Sequence, residues 1–272
     1  MRDAALEKLL LVAEKTAVSA ATLLREKWSQ PRQLTAKGFR DLVTDADYAS
    51  QELITGQIRQ NFPEHGFLTE EEASDLPDSG SIIWVIDPVD GTTNYSRQIP
   101  IFTVAIAAVD SASREVVVGV ILDPMRQELF SAAKGQGVWL QVEGGEKRPL
   151  SASPVSILSE SIVSLDMSHD HQTRQSVLDF VQHAGNDIAK MRLIGSAALS
   201  MAWLAAGRLD AYLNYRLHPW DVAAASLLVR EAGGQVTTLD GQPWRWTKEA
   251  GGVVATNGRF HAQLLQKLSQ TQ

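Results

Sequence analysis

The stretch Ile82-Ile83-Trp84-Val85-Ile86-Asp87-Pro88-Val89-Asp90-Gly91-Thr92-Thr93-Asn94-Tyr95 decides the fold. Its first five residues are apolar and β-favouring, the pattern of a strand covered on both faces. The strand ends in two carboxylates, Asp87 and Asp90, three residues apart in a turn made by Pro88 and Gly91, so both side chains converge at one end of a sheet. Carboxylates that close repel each other and are driven toward protonation unless a cation lies between them. An all-oxygen pair asks for a hard metal, Mg²⁺ or something like it. Gly91-Thr92-Thr93 adds backbone N–H groups at a helix start, a seat for phosphate. An ordinary Asx turn accounts for one Asp there and leaves the second without a role.

Working outward, Leu6, Leu9, Leu10, Ala13, Ala17, Ala20, Leu24 and Trp28 recur at spacings of three and four and predict a helix over 3–28, stopped by Pro31. A second helix starts near Asp47, runs through Leu53, Ile54 and Ile58, and breaks at Asn61-Phe62-Pro63. Short apolar runs predict strands over 82–86, 102–109, 116–122 and 128–132. Gly144-Gly145, Pro149 and Pro154 mark a seam over 143–154 that divides the chain into 1–148 and 149–272. Beyond it the patterns predict strands over 161–165, 191–194 and 209–213, further strands near Val236 and Val253, and helices over 174–183, 196–206, 221–231 and 259–268. Helix and strand alternate, so the fold class is α/β, or a layered α+β arrangement of helices and sheets.

Composition narrows the function. The chain has 272 residues, with 25 Lys+Arg against 32 Asp+Glu for a net charge of −7, which argues against a nucleic-acid partner because phosphate backbones call for clustered cations. With no cysteine it has no disulfide, thiol nucleophile, zinc ribbon or iron–sulfur cluster. The apolar stretch Leu9 to Ala13 is too short to span a bilayer. A cytoplasmic protein with no membrane partner is expected.

Three further segments carry acids: Leu68-Thr69-Glu70-Glu71-Glu72, Asp41-Leu42-Val43-Thr44-Asp45-Ala46-Asp47, and Trp220-Asp221-Val222-Ala223-Ala224-Ala225. Singly, they are a solvated charge run, a capping segment and an N-cap. His169-Asp170-His171 reads as a solvated loop, His218 as a structural histidine, and Gly135-Gln136-Gly137 as a turn.

Together these segments resemble the inositol monophosphatase family of magnesium-dependent phosphomonoesterases, over nearly the whole chain and in the family's order. The signature Asp-Pro-Ile-Asp-Gly-Thr-Thr-Asn-aromatic is matched by Asp87 to Tyr95, with Val89 for isoleucine. Thr69-Glu70-Glu71 resembles the usual Gly-Glu-Glu. Trp220-Asp221-Val222-Ala223-Ala224 and Glu231-Ala232-Gly233-Gly234 resemble the later Trp-Asp-x-Ala-Ala and Glu-Ala-Gly-Gly blocks.

The resemblance implies a sugar-phosphatase fold of alternating helix and sheet layers, with a metal-binding 1–148 half, a 149–272 half and the active site between them. It implies that Glu70, Asp87 and the Val89 carbonyl hold one metal, that Asp87, Asp90 and Asp221 hold a second, and that Glu70 with water holds a weaker third. These two or three ions would be Mg²⁺, with Mn²⁺ as a substitute and lithium as a competitor. Phosphate would rest on the metals and on the Gly91 and Thr92 N–H groups. The catalytic residues implied are Glu70, as metal ligand and water-positioner, with Thr92 and Asp47 in support; Thr92 hydrogen-bonded to Asp47 is the other candidate for orienting the water. The alcohol half of the substrate would meet Gly195, Ser196, Ala197, Asn214 and Asp221. Inositol-specific members carry glutamate at the position of Asn214, so that residue questions inositol preference, and Arg216 beside it could meet a second anionic group. The expected substrate is myo-inositol monophosphate or a similar small polyol phosphate. Histidinol-phosphate, fructose-1,6-bisphosphate and 3′-phosphoadenosine-5′-phosphate are the alternatives, and a regulatory scaffold is another. A homodimer is expected from the same resemblance.

Overall fold

The computed structural model describes residues 3–30, 34–38, 41–71, 79–167 and 170–270. Helix α1 (Asp3–Trp28) buries Leu6, Leu9, Ala13, Ala17, Ala20 and Leu24, the stripe its sequence spacing predicts. A short antiparallel hairpin, β1 (Leu34–Gly38) and β2 (Asp41–Thr44), leads into α2 (Asp45–Asn61). Thr44 caps α2, with Asp47 at the third helical position reaching back to the Thr44 N–H.

A seven-stranded sheet follows. It contains β3 (Gly66–Thr69), β4 (Ile82–Asp90), β5 (Thr103–Asp110), β6 (Glu115–Asp123), β7 (Glu128–Ala133), β8 (Val138–Val142) and β9 (Arg148–Pro149) in sequential order, with the five-residue helix α3 (Thr92–Ser96) between β4 and β5. Only the β3–β4 pair is parallel.

The second half forms a five-stranded sheet. Strand β10 (Ile162–Leu165) precedes α4 (His171–Ala184); β11 (Lys190–Arg192) precedes α5 (Ala197–Ala205); β12 (Ala211–Leu217) precedes α6 (Pro219–Glu231); β13 (Gln235–Thr237), β14 (Gly251–Thr256) and α7 (His261–Ser269) close the chain. The order is β11-β10-β12-β14-β13.

Three apolar clusters define how these elements stack. One joins α1 and α2 to one face of the large sheet, through Leu24, Ile54, Trp84 and Ile106 among others. The second joins the opposite face to α5 and α6 and to the smaller sheet. The third joins the outer face of the smaller sheet to α4 and α7. The result is helix, sheet, helix, sheet, helix. Helices α5 and α6 lie between two sheets, and for that reason most of their residues are buried and alanine and serine are frequent in them. Helix and sheet approach closely where α6 crosses β6: a Cβ at Gly119 would lie 2.5 Å from the Ala224 carbonyl oxygen.

Several boundaries differ from those the patterns predict. The strand expected over 82–86 continues to Asp90, with a register shift against β5 between Asp87 and Asp90, so the two carboxylates stand on an irregular strand end rather than in a turn beyond it. The strand expected over 209–213 runs instead from Ala211 to Leu217. Helix α6 starts at Pro219, which places Asp221 at its third position and not at the cap. In the expected solvated loop, Asp170 is the N-cap of α4, accepting from the Thr173 N–H at 2.9 Å, and His171 is the first helical residue; His169 lies outside the described residues. The expected seam at 143–154 carries β9, still an edge of the large sheet, before Ser153 crosses to Asp210, whose carboxylate also accepts from the Ile162 N–H at 2.7 Å. Among the described residues no helix is long and apolar enough to cross a membrane.

Candidate active site

The site gathers where the irregular end of β4 meets the starts of α2, α5 and α6. Asp87 and Asp90 are both buried. The Asp87 Oδ1 accepts from the Val89 N–H at 3.0 Å, which sets the backbone between the two acids. Helix α2 braces the same turn: the Ser50 hydroxyl donates to the Pro88 carbonyl at 3.0 Å. The Thr92 hydroxyl lies 3.0 Å from Asp47 Oδ1 and 3.0 Å from the Val89 carbonyl, and its one proton serves a single acceptor at a time. The other Asp47 oxygen accepts from the Thr44 N–H and hydroxyl.

Asp90 is committed differently. Its carboxylate sits over the start of α5, accepting from the Ala197 N–H at 3.1 Å, the Ala198 N–H at 3.0 Å, and the Ser196 and Thr103 hydroxyls. It therefore satisfies helix donors that are otherwise orphaned, besides facing the other acids. Asp221 reaches back to the His218 N–H at 2.7 Å, while the His218 ring stacks on Trp220 at 4.6 Å, a packing role.

Gly91 has φ of 98°, a conformation suited to glycine, and a Cβ there would lie 3.1 Å from the Gly195 carbonyl oxygen. The Asn94 amide ties the two halves together, donating to the Ile101 and Ile194 carbonyls at 2.9 Å each. Gly91 and Gly195 thus approach closely, and Ser196 and Ala197 beside them meet Asp90. Asn214 is buried and its amide is turned along its own strand: Oδ1 accepts from the Arg216 N–H at 3.0 Å and Nδ2 donates to the Tyr212 hydroxyl at 3.2 Å. Arg216 is exposed. Glu71 is buried, with its backbone clamped by the Gln51 side chain on α2; Glu72 lies outside the described residues.

The electrostatics are those of an uncompensated acid cluster. Burial drives Asp87 well above the ordinary carboxylate range, and Glu70, Asp90 and Asp221 push it further. Burial, then Asp90 and Glu70, do the same to Asp221. Asp90 is raised by burial, against which its hydroxyl and N–H donors pull. Asp47 is pushed up to about 6 by burial, with Thr44 and Thr92 opposing. The charges of Glu70, Asp90 and Asp221 all act on Asp87, so the four acids lie within electrostatic reach of one another. Among the described residues no three acidic or imidazole groups already surround one point as a finished coordination sphere. The cluster nonetheless fits a hard divalent cation: its donors are oxygens, Asp87 and Asp90 are buried, and a cation would relieve the mutual repulsion of the acids.

A pH dependence follows. Asp47 rises from an ordinary 3.8 to about 6 on folding, so between those values the native state holds more protons than the unfolded chain and stability falls as pH rises. A shift of that size costs about 3 kcal/mol at neutral pH. Asp87 and Asp221, also raised, act in the same direction. In chelator, the melting temperature should therefore fall from pH 5 to pH 8, and Mg²⁺ should raise it more at pH 8 than at pH 5. A metal-free melting temperature that climbs over this range would contradict the acid-cluster account.

The Inositol monophosphatase family model matches residues 5–272. The chain belongs to the inositol monophosphatase family. Among family relatives, the inositol monophosphatase of Dictyostelium discoideum is 38% identical over 224 residues, 80% of each chain. The Nus factor SuhB of Escherichia coli (strain K12) is 35% identical over 269 residues, 96% of this chain and 95% of that protein. The crystal structure of the extragenic suppressor protein suhB from Bartonella henselae superposes with a TM-score of 0.88 at 30% identity, over 97% of this chain and 99% of that one. The layered fold is the one its family shares.

Sequence patterns alone missed Ser50 and Asn94, whose roles are backbone contacts with distant segments, and Asp166, a lone acid after a strand. The Asp166 carboxylate accepts from the Gly195 N–H at 2.8 Å and the Tyr212 hydroxyl at 3.2 Å. Nothing in its neighbours along the chain signals this.

Proposed function

We propose that this chain is a Mg²⁺-dependent phosphomonoesterase acting on myo-inositol monophosphate or a similar small polyol phosphate. The observation that carries the proposal is the buried Asp87 on which the charges of Glu70, Asp90 and Asp221 all act, acids that repel without a cation. Glu70, Asp87, Asp90, Asp221 and the Val89 carbonyl would hold the metal. When bound, it would supply charge neutralisation for phosphate and leaving group and a water acidic enough to attack at neutral pH.

The chain's own groups do the rest. The Gly91 and Thr92 N–H groups take phosphate oxygens at the mouth of α3. Glu70 orients the attacking water and receives its proton. With the Val89 carbonyl committed to a metal, the Thr92 hydroxyl would donate to Asp47, which would hold it in one orientation beside the water. Gly195, Ser196 and Ala197 shape the wall against which the alcohol rests, with Asp221 and Asn214 nearby. No covalent nucleophile is required.

The relative named a Nus factor favours a second reading, in which the same fold serves by binding other macromolecules. Phosphate release separates the two. With Mg²⁺ the chain should liberate phosphate from myo-inositol 1-phosphate, and with chelator it should not. No turnover on a panel that also includes histidinol-phosphate, fructose-1,6-bisphosphate and 3′-phosphoadenosine-5′-phosphate would favour the binding role.

A further inference from the structure

We propose that Asp166, oriented by Tyr212 and Asn214, is the charged acceptor for hydroxyl groups on the alcohol half of the substrate and so determines preference for polyhydroxy esters. The assignment rests on the phosphatase function proposed above and names a residue that this function had not used.

Asp166 immediately follows β10, which runs parallel to its neighbours β11 and β12. It therefore stands at the carboxyl end of parallel strands, where α/β folds open their clefts. The Gly195 N–H that it accepts belongs to the residue backing onto Gly91, and the next residue, Ser196, donates to Asp90. The negative charge of Asp90 is felt at Asp166, and those of Asp90 and Asp221 at Tyr212. Asp166 is thus joined through Gly195 and Ser196 to the segment that meets Gly91 and Asp90.

The bonding chain has one direction. The Arg216 N–H donates to Asn214 Oδ1, which fixes how the amide is flipped. Asn214 Nδ2 then donates to the Tyr212 oxygen, and the Tyr212 hydroxyl donates onward to Asp166 Oδ2. Each member is set by the one before, and the chain ends on a carboxylate. Tyr212 and Asn214 are buried, whereas Asp166 is only partly so. A carboxylate offers about four lone-pair sites, so it can accept ligand hydroxyls in addition to its protein donors. Neutral Asn214 offers no such charge, and its amide is already used. A polyol presents several O–H donors to this acceptor; an aryl or simple alkyl ester presents none.

The test compares wild type, Asp166→Asn and Tyr212→Phe on myo-inositol 1-phosphate and on phenyl phosphate, both with Mg²⁺. Loss of a hydrogen bond to a charged group predicts a fall of about 10–100-fold in kcat/KM for the polyol ester with Asp166→Asn, carried mainly by KM. The fall on phenyl phosphate should be at least about tenfold smaller, and Tyr212→Phe should move the ratio in the same direction by less. Parallel losses on both esters would reduce Asp166 to a staple for the Gly195 loop and overturn the proposal. Saturation transfer from the protein to free myo-inositol gives a readout independent of turnover: it should be present with wild type and lost with Asp166→Asn. If no ester is hydrolysed but this transfer is lost in the variant, the phosphatase function fails while the polyol site stands. If transfer survives, the polyol site fails. Should Asp166→Asn not fold, the Tyr212→Phe ratio decides alone, and an unchanged ratio overturns the proposal.

Discussion

Asp87→Asn is expected to lower Mg²⁺-dependent phosphate release by about three orders of magnitude or more, the loss of several kcal/mol that a metal's charge supplies to a phosphoryl-transfer transition state. The same variant should raise the melting temperature of the metal-free protein. Asp87 is the buried acid on which Glu70, Asp90 and Asp221 all press, and an amide removes one charge from that cluster while its oxygen can still accept from the Val89 N–H. Asp90→Asn should abolish activity too, but with the opposite effect on stability. Both Asp90 oxygens accept hydrogen bonds, from the Ala197 N–H on one side and the Ala198 N–H, Ser196 and Thr103 on the other. An amide nitrogen would face donors there, at a cost of about 1–3 kcal/mol. Thermal melts in chelator, paired with phosphate release in Mg²⁺, read both effects. If the two variants shift stability in the same direction, the division of labour between Asp87 and Asp90 is wrong.

Gly119→Ala carries the largest expected effect on the fold itself. An added Cβ would sit 2.5 Å from the Ala224 oxygen and 3.2 Å from its carbonyl carbon, both backbone atoms of α6. A flexible side chain could turn aside, but a helix backbone pinned between two sheets cannot. Helix and sheet must separate, which opens gaps along the rest of the α6 contact and costs about 3 kcal/mol. For a chain of this size the melting temperature should drop by about 6–12 °C. Helix α6 also carries Asp221 at its third position, so the displacement reaches the acid cluster and should weaken stabilisation by Mg²⁺ as well. A drop of less than about 2 °C would mean that α6 is not seated as tightly on β6 as described.

The acid-pair variants and Gly119→Ala probe two kinds of information. Helix α1 and the strands β4 to β7 are legible in the chain because their apolar periods are local, and the layers must cover those faces whatever the topology. Asp87 and Asp90 are legible for the same reason: an apolar strand that ends in two acids is a local oddity that burial alone does not explain. Strands β3 and β8 were not, since each is four or five residues long and has no distinctive pattern beyond a brief alternation. The boundaries of β12 and α6 also escaped. The structure needs Asn214 on a strand and Pro219 in a first helical turn, and both depend on pairing with β14 and packing against the large sheet.

By itself, then, the amino-acid order determined the alternation of elements, the acid pair at the end of β4 and, through the blocks that match it, the family. Tertiary structure alone decided which distant groups meet: Ser50 with the Pro88 carbonyl, Ser196 with Asp90 across 106 residues, and Asp166 with Gly195 and Tyr212. Periodicity reports which face of an element is apolar, whereas convergence of polar groups depends on how the layers stack and on the register of strands far apart in the chain. Those are set by the summed packing of the whole molecule, and no short segment contains them.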